Sequence, residues 1–227
     1  RRRIAFEELF FMQAGVLLLR KKREEGRESI KCAPSGELVK RVREHFPFQL
    51  TEGQQQAFRD IEDDMEGLIP MNRLVQGDVG SGKTAVAALS LAKIVENGYQ
   101  GALMAPTEVL AGQHYETFRH FYEGLPIRVA YLSGNTKTSE RREILKQLAA
   151  GDIDVLIGTH ALIEKDVIFA HLGLVITDEQ HRFGVKQRKA LETKGGSPHI
   201  LVMTATPIPR TMALSVYGDL DVSAIRG

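Results

Sequence analysis

Cysteine is nearly missing from this chain: Cys32 is the only one in 227 residues. One thiol makes no internal disulfide, and without Cys or His partners at ligand spacing it makes no zinc site. Long apolar runs are missing too. The stretches around Val16 and Leu19 and around Leu172 and Ile176 fall far short of the roughly 20 residues that cross a bilayer. Arg1-Arg2-Arg3 leads into a mixed amphipathic segment, not the apolar stretch of a secretory leader. Internal repeats and low-complexity tracts are absent as well. These absences exclude disulfide-stapled and membrane-spanning classes and lead us to expect a reducing, cytoplasmic compartment. The remainder, 43% hydrophobic and 26% charged residues, suits one α/β domain with an appendage, or two small domains.

The net charge of +1 hides an asymmetry, because basic residues from Arg1 to Arg43 crowd the first fifth of the chain. Such a segment suits either a phosphate-lined partner or a solvated helix face, since Glu24, Glu25 and Glu28 interrupt it.

Phe6, Leu9, Phe10, Gln13, Val16, Leu17 and Arg20 recur at helical spacing, so residues 4–24 read as one amphipathic helix that needs a surface to pack on. Pro34 and Gly36 break the chain, and a second helix is expected over 37–44, ending before Phe46-Pro47-Phe48. A third begins after Thr51, with Gln54 placed to complete a capping box. Beyond Pro70 short apolar runs at 74–76, 102–105, 129–132, 155–157, 174–177 and 200–204 read as buried strands. Helices are expected between them at 83–96, 109–121, 138–149 and 185–192. That alternation predicts an α/β fold, a parallel sheet with helices on both faces, whose strand ends gather on one edge. No closing element is expected before Gly227, as in a piece of something longer. We divide the chain into a helical extension and linker, 1–48, and a sheet domain, 49–227.

Gly77-Asp78-Val79-Gly80-Ser81-Gly82-Lys83-Thr84 fits the phosphate-loop pattern between a strand and a helix. Gly77, Gly80 and Gly82 permit backbone angles and close approaches that let successive N–H groups, with Ser81 among them, converge on phosphate oxygens. Lys83 supplies a point charge to the outer phosphates of a nucleoside triphosphate, and Thr84 a hydroxyl for Mg²⁺. Hydrolysis also needs a carboxylate at a neighbouring strand end. Asp178 and Glu179 follow the apolar run 174–177, so Asp178 is the metal candidate and Glu179 the water-activating base.

Extended to Asp178-Glu179-Gln180-His181, this box resembles the second motif of superfamily 2 helicases and translocases. Ala105-Pro106-Thr107-Glu108-Val109-Leu110-Ala111, Gly158-Thr159-His160-Ala161-Leu162-Ile163, the continuation Arg182-Phe183-Gly184-Val185 and Thr204-Ala205-Thr206-Pro207-Ile208-Pro209-Arg210-Thr211 narrow the likeness. Together these motifs resemble the RecG family of bacterial ATP-dependent DNA helicases. Ala5-Phe6-Glu7-Glu8-Leu9-Phe10 resembles the helix leading into that family's motor. Transcription-repair coupling factors share much of the pattern, but Ser81 and Gln180 favour the RecG family. A phosphate-loop ATPase that does not act on nucleic acid, such as a transporter subunit, is the remaining alternative. Leu132-Ser133-Gly134-Asn135 superficially matches the transporter signature without its further Gly-Gln pair.

The resemblance implies a RecA-like first motor domain that hydrolyses ATP with Mg²⁺ and moves on forked or branched duplex DNA in fork remodelling, recombination and repair. Lys83, Asp178, Glu179 and His181 then carry catalysis, with His181 coupling the phosphate site to the next motif. Gln54 reads the adenine edge, a role open beside its capping role, and Phe48 either stacks near the base or packs in the core. Thr107, Gly134, Thr159, His160, Thr206 and Arg210 face DNA. A second RecA-like domain and a DNA-junction wedge are expected elsewhere in a monomeric full-length protein, so these residues alone should hydrolyse ATP slowly.

Overall fold

The computed structural model describes residues 2–24, 29–178, 185–205 and 220–226. In chain order they form α1 (Arg2–Glu24), α2 (Glu37–His45), α3 (Glu52–Glu66), β1 (Asn72–Gly77), α4 (Lys83–Glu96), β2 (Gln100–Met104) and α5 (Glu108–Phe121). There follow β3 (Val129–Leu132), α6 (Thr138–Ala150), β4 (Val155–Gly158), a 3₁₀ turn (His160–Ile163), β5 (Leu172–Asp178), α7 (Val185–Glu192), β6 (His199–Thr204) and β7 (Asp221–Ile225). Seven strands make one sheet in the order β3-β4-β2-β5-β6-β1-β7, every pair parallel.

Successive side chains of a strand point to opposite faces, so each strand feeds two cores. Val75, Leu103, Ile176 and Leu201 pack with Phe58, Leu89 and Phe118 from α3, α4 and α5. On the other face Leu74, Ala102, Val175 and Val202 pack with Leu148, Leu162 and Leu191 from α6, the 3₁₀ turn and α7. Burial on both faces is why these strands read as unbroken apolar runs. Parallel pairing then puts every C-terminal strand end on one edge, which is where the functional loops must lie.

The predicted helices appear within a residue or two, and the third has its capping box: Thr51 Oγ1 accepts from Gln54 N–H and Gln54 Oε1 from Thr51 N–H. One expectation needs correction. A closing strand does exist: β7 pairs with β1 at the sheet edge, Arg73 opposite Asp221 and Gly77 opposite Ile225. Its Asp221 and Val222 are exposed while Ser223 and Ile225 are buried, so it carries no apolar run to announce it. The apolar stripe of α1 stands open: Phe6, Phe10 and Leu17 are 69%, 59% and 63% exposed.

Between α1 and α2 the chain is neither helix nor strand at residues 29–36, yet α4 grips it. Lys93, fully buried, donates to Ala33 O (3.0 Å), Ser35 Oγ (3.0 Å) and Glu66 Oε1 (2.7 Å). Asn97 Oδ1 accepts from Ala33 N, and the Glu96 carboxylate accepts from Gly36 N and Leu38 N at the start of α2. Cys32 N donates to Met65 O, and burial pushes the Cys32 thiol up to about 11. Cys32, Val39, Val42 and Phe46 therefore share the core of Phe58 and Leu89. Among the described residues no helix is long and apolar enough to cross a membrane.

Candidate functional site

The phosphate loop leaves β1 at Gly77 and turns into α4 at Lys83. Gly80 and Gly82 stand at φ 82° and 80°, the left-handed region that a Cβ disfavours. At Gly82 a Cβ would also strike the Gln54 amide. The loop is held shut by Ser81 N–H donating to Asp78 O (2.9 Å) and by Gln54 Nε2 donating to Ser81 O (2.9 Å). Lys83 Nζ donates to Gly77 O (2.5 Å) and Asp78 O (3.0 Å). Desolvation lowers the Lys83 pKa against the opposing pull of the Asp178 and Asp78 charges, so Lys83 lies in the field of both carboxylates. Ser81 Oγ is buried without a hydrogen-bond partner, and Thr84 is half-buried in the first turn of α4.

Asp178 ends β5, beside Met203 of β6, which in turn lies next to β1. Its Oδ2 is 2.7 Å from His114 Nε2 of α5. A carboxylate only accepts hydrogen bonds, so Nε2 carries the hydrogen. Sequence reasoning missed His114, because a lone histidine in a helix has no motif spacing to mark it. The described residues include no group of three His, Cys, Asp or Glu side chains able to cage a metal. That suits Mg²⁺, which takes one or two protein oxygens and completes its shell with phosphates and water. Open backbone N–H groups at a helix N-terminus, Lys83, the orphaned Ser81 hydroxyl and Asp178 thus form a donor set that fits a magnesium-bound triphosphate.

Gln54 uses one amide hydrogen on Ser81 O and one oxygen lone pair on Thr51 N–H. An amide has two of each, so one hydrogen and one lone pair remain. Phe48 is neither buried nor isolated: it stacks on Phe46 (5.2 Å, 12°) and lines a cavity of about 270 Å³ with Arg43, Gln49, Leu50 and Gln55.

The other half of the edge carries the residues expected to face DNA. Thr107 caps α5 by accepting from Leu110 N–H (3.2 Å) and is exposed. Glu108 beside it takes Asn135 Nδ2 (2.7 Å) on its carboxylate, joining the β3 loop to α5. Gly134 has open space around its Cα. His160 is exposed, but Thr159 is 2% exposed, with its hydroxyl buried and unpartnered, so its side chain is not on this surface. Thr107, Gly134 and His160 thus follow β2, β3 and β4, three adjacent strands, whereas the nucleotide residues follow β5 and β1. Glu179, His181, Thr206 and Arg210 lie outside the described residues.

Residues 51–214 match the DEAD/DEAH box helicase family. The chain belongs to that family. Among DEAD/DEAH box helicases it is similar to the ATP-dependent DNA helicase RecG of Bacillus subtilis (strain 168), 51% identical over 225 residues, which are 99% of this chain and 33% of that protein. It is 52% identical over 225 residues to the RecG of Thermotoga maritima, 99% of this chain and 29% of that one. The chain spans about a third of the length of these curated relatives. The solved structure of RecG bound to a three-way DNA junction superposes with a TM-score of 0.86 at 48% identity, covering 99% of this chain and 30% of that one. The helicase MrfA bound to DNA and AMPPNP shares the fold at a TM-score of 0.64 and 17% identity, over 88% of this chain and 31% of that one. The resemblance carried by the motifs and the expected RecA-like sheet are both borne out by these matches.

Proposed function

We propose that this chain is the first RecA-like motor domain of an ATP-driven DNA translocase of the RecG kind, acting on forked or branched duplex DNA in replication-fork remodelling, recombination and repair. The observation that supports it most is the placing of the phosphate loop and Asp178 on one sheet edge in a chain about half identical to RecG throughout. Lys83 and the loop N–H groups would hold the phosphates of ATP, and Thr84 and Asp178 would hold Mg²⁺. When bound, Mg²⁺ would supply positive charge against the charge that develops on the phosphates during transfer.

In this reading Lys83 leaves Gly77 O and Asp78 O for phosphate oxygens, a charge-assisted exchange. Glu179 activates water and His181 couples the box to the following motif. The base of ATP takes the cavity at Phe48, and Gln54 offers its spare hydrogen and lone pair to the adenine edge while keeping its grip on Ser81. Thr107, Gly134 and His160, with Thr206 and Arg210, hold the DNA backbone without reading bases, as a motor on any sequence requires. Residues 1–48 serve as the extension and 49–227 as the motor. A second RecA-like domain and a wedge domain complete a monomeric protein in the cytoplasm.

The test is ATPase activity of the full-length protein on forked, linear duplex and single-stranded DNA. Fork-selective turnover that Glu179→Gln abolishes is the expected result. Turnover indifferent to DNA sinks the proposal.

A further inference from the structure

The strand order divides the functional edge. β3, β4 and β2 carry the loops of Gly134, His160 and Thr107, and β5 and β1 the nucleotide residues, with the seam between β2 and β5. His114 crosses that seam. It belongs to α5, which follows β2, yet its Nε2 lies 2.7 Å from Asp178 Oδ2 at the end of β5. The histidine is 8% exposed, and its ring packs on Phe118, itself fully buried (centroids 6.2 Å apart). At the other end of α5 the Thr107 cap and the Glu108 bond to Asn135 fix the first turn. The imidazole is therefore a donor on a rigid mount.

Asp178 needs such a donor for a physical reason. The terminal torsion of aspartate is broad and roughly two-fold, so an unheld carboxylate samples many orientations. A metal-holding carboxylate must present one oxygen in a fixed direction. The bond to His114 engages Oδ2 and leaves Oδ1 outside that bond, while Lys83 attracts the same group through its charge. Partners of this kind, one shell removed from a metal, change metal affinity by about 10–100-fold when lost.

We propose that His114 is a positioning residue that fixes the Asp178 carboxylate for metal-dependent nucleotide binding, without touching the nucleotide itself. This rests on Asp178 being the metal carboxylate. It predicts a defect specific to the metal: the nucleotide cradle of Gly77–Thr84 is untouched, so metal-free nucleotide should bind as before.

The experiment measures, on the full-length protein, the affinity of a fluorescent ATP analogue with Mg²⁺ and with EDTA, together with the Mg²⁺ concentration giving half-maximal ATPase. His114→Ala should raise the Mg²⁺ requirement about 10–100-fold and leave the EDTA affinity unchanged. His114→Leu, which fills the space without a donor, should match it, and His114→Gln, whose amide can donate at similar reach, should recover most of the loss. Thermal melting identifies any variant that fails to fold, and Leu and Gln then still decide the case. Wild-type Mg²⁺ dependence in the Ala and Leu variants, alongside a raised requirement in Asp178→Asn, overturns the proposal. Equal weakening with and without metal overturns it too, by marking a merely structural histidine. An Asp178→Asn protein with unaltered Mg²⁺ dependence removes the metal assignment on which the proposal stands.

Discussion

Two neighbouring segments reverse the usual association of regular structure with firm anchorage. Residues 29–36 have no helix or strand, yet Lys93, Asn97 and Glu96 of α4 and the loop after it, Met65 of α3 and His199 of β6 all bond to them. Residues 2–24 form a continuous helix, yet Phe6, Phe10 and Phe11 are left 69%, 59% and 71% exposed. A helix pairs most of its backbone groups within itself, whereas an irregular segment must find partners for each buried N–H and C=O. Anchorage is therefore read from where the bonds of the irregular segment end.

Lys93→Ala should break this contrast most severely. It removes three hydrogen bonds from a fully buried side chain and leaves a cavity, so we expect a loss of about 3–5 kcal/mol in denaturant unfolding. His199 comes next. Its Nδ1 accepts from Met71 N–H (2.8 Å), which assigns the hydrogen to Nε2 and its bond to Ile30 O (2.6 Å). His199→Leu orphans both backbone groups, at a cost of about 1–3 kcal/mol.

The same histidine makes stability depend on pH. Burial lowers its pKa below the ordinary 6.5, only partly offset by the bond to Ile30 O. As pH falls the unfolded chain takes up the proton first, so this contribution is complete above about 6.5 and is lost toward the lower folded pKa. Thermal melts of the wild type should therefore drop below pH 6.5 more steeply than those of His199→Leu.

Glu96→Ala removes the acceptor for Gly36 N–H and Leu38 N–H, both at 2.9 Å, and should cost about 1–2 kcal/mol, measured the same way. The smallest effect belongs to the regular segment. Phe10→Ser with Phe11→Ser should alter unfolding by less than about 0.5 kcal/mol, because the rings are already exposed. A loss of several kcal/mol there would erase the comparison.

Legibility in the sequence followed the same physics. Helices α3 to α7 and six strands were readable because Thr51 and Gln54 mark a cap, Gly82 and Lys83 mark the loop-to-helix turn, and burial on both faces makes apolar runs. β7 escaped because Asp221, Val222 and Ala224 are exposed and the buried Ser223 bonds to Asp60 and Arg73 instead of packing among apolar groups, which leaves no apolar run. Lys83 and Asp178 were legible from spacing, since phosphate chemistry fixes their separation from strand ends. His114 was not, because its partner lies 64 residues away and only the β2-β5 pairing brings them together. Thr159 shows a different limit: its place after a strand was legible, but the inward direction of its side chain was not.

Helix α4 joins these observations. Its first residue, Lys83, belongs to the phosphate loop, and its last turn, with Lys93 and Glu96, clasps the segment leading back to α1. Fourteen residues make a rod of about 21 Å. One rigid element thus carries the phosphate-loop lysine at its first residue and the anchor of residues 29–36 in its last turn.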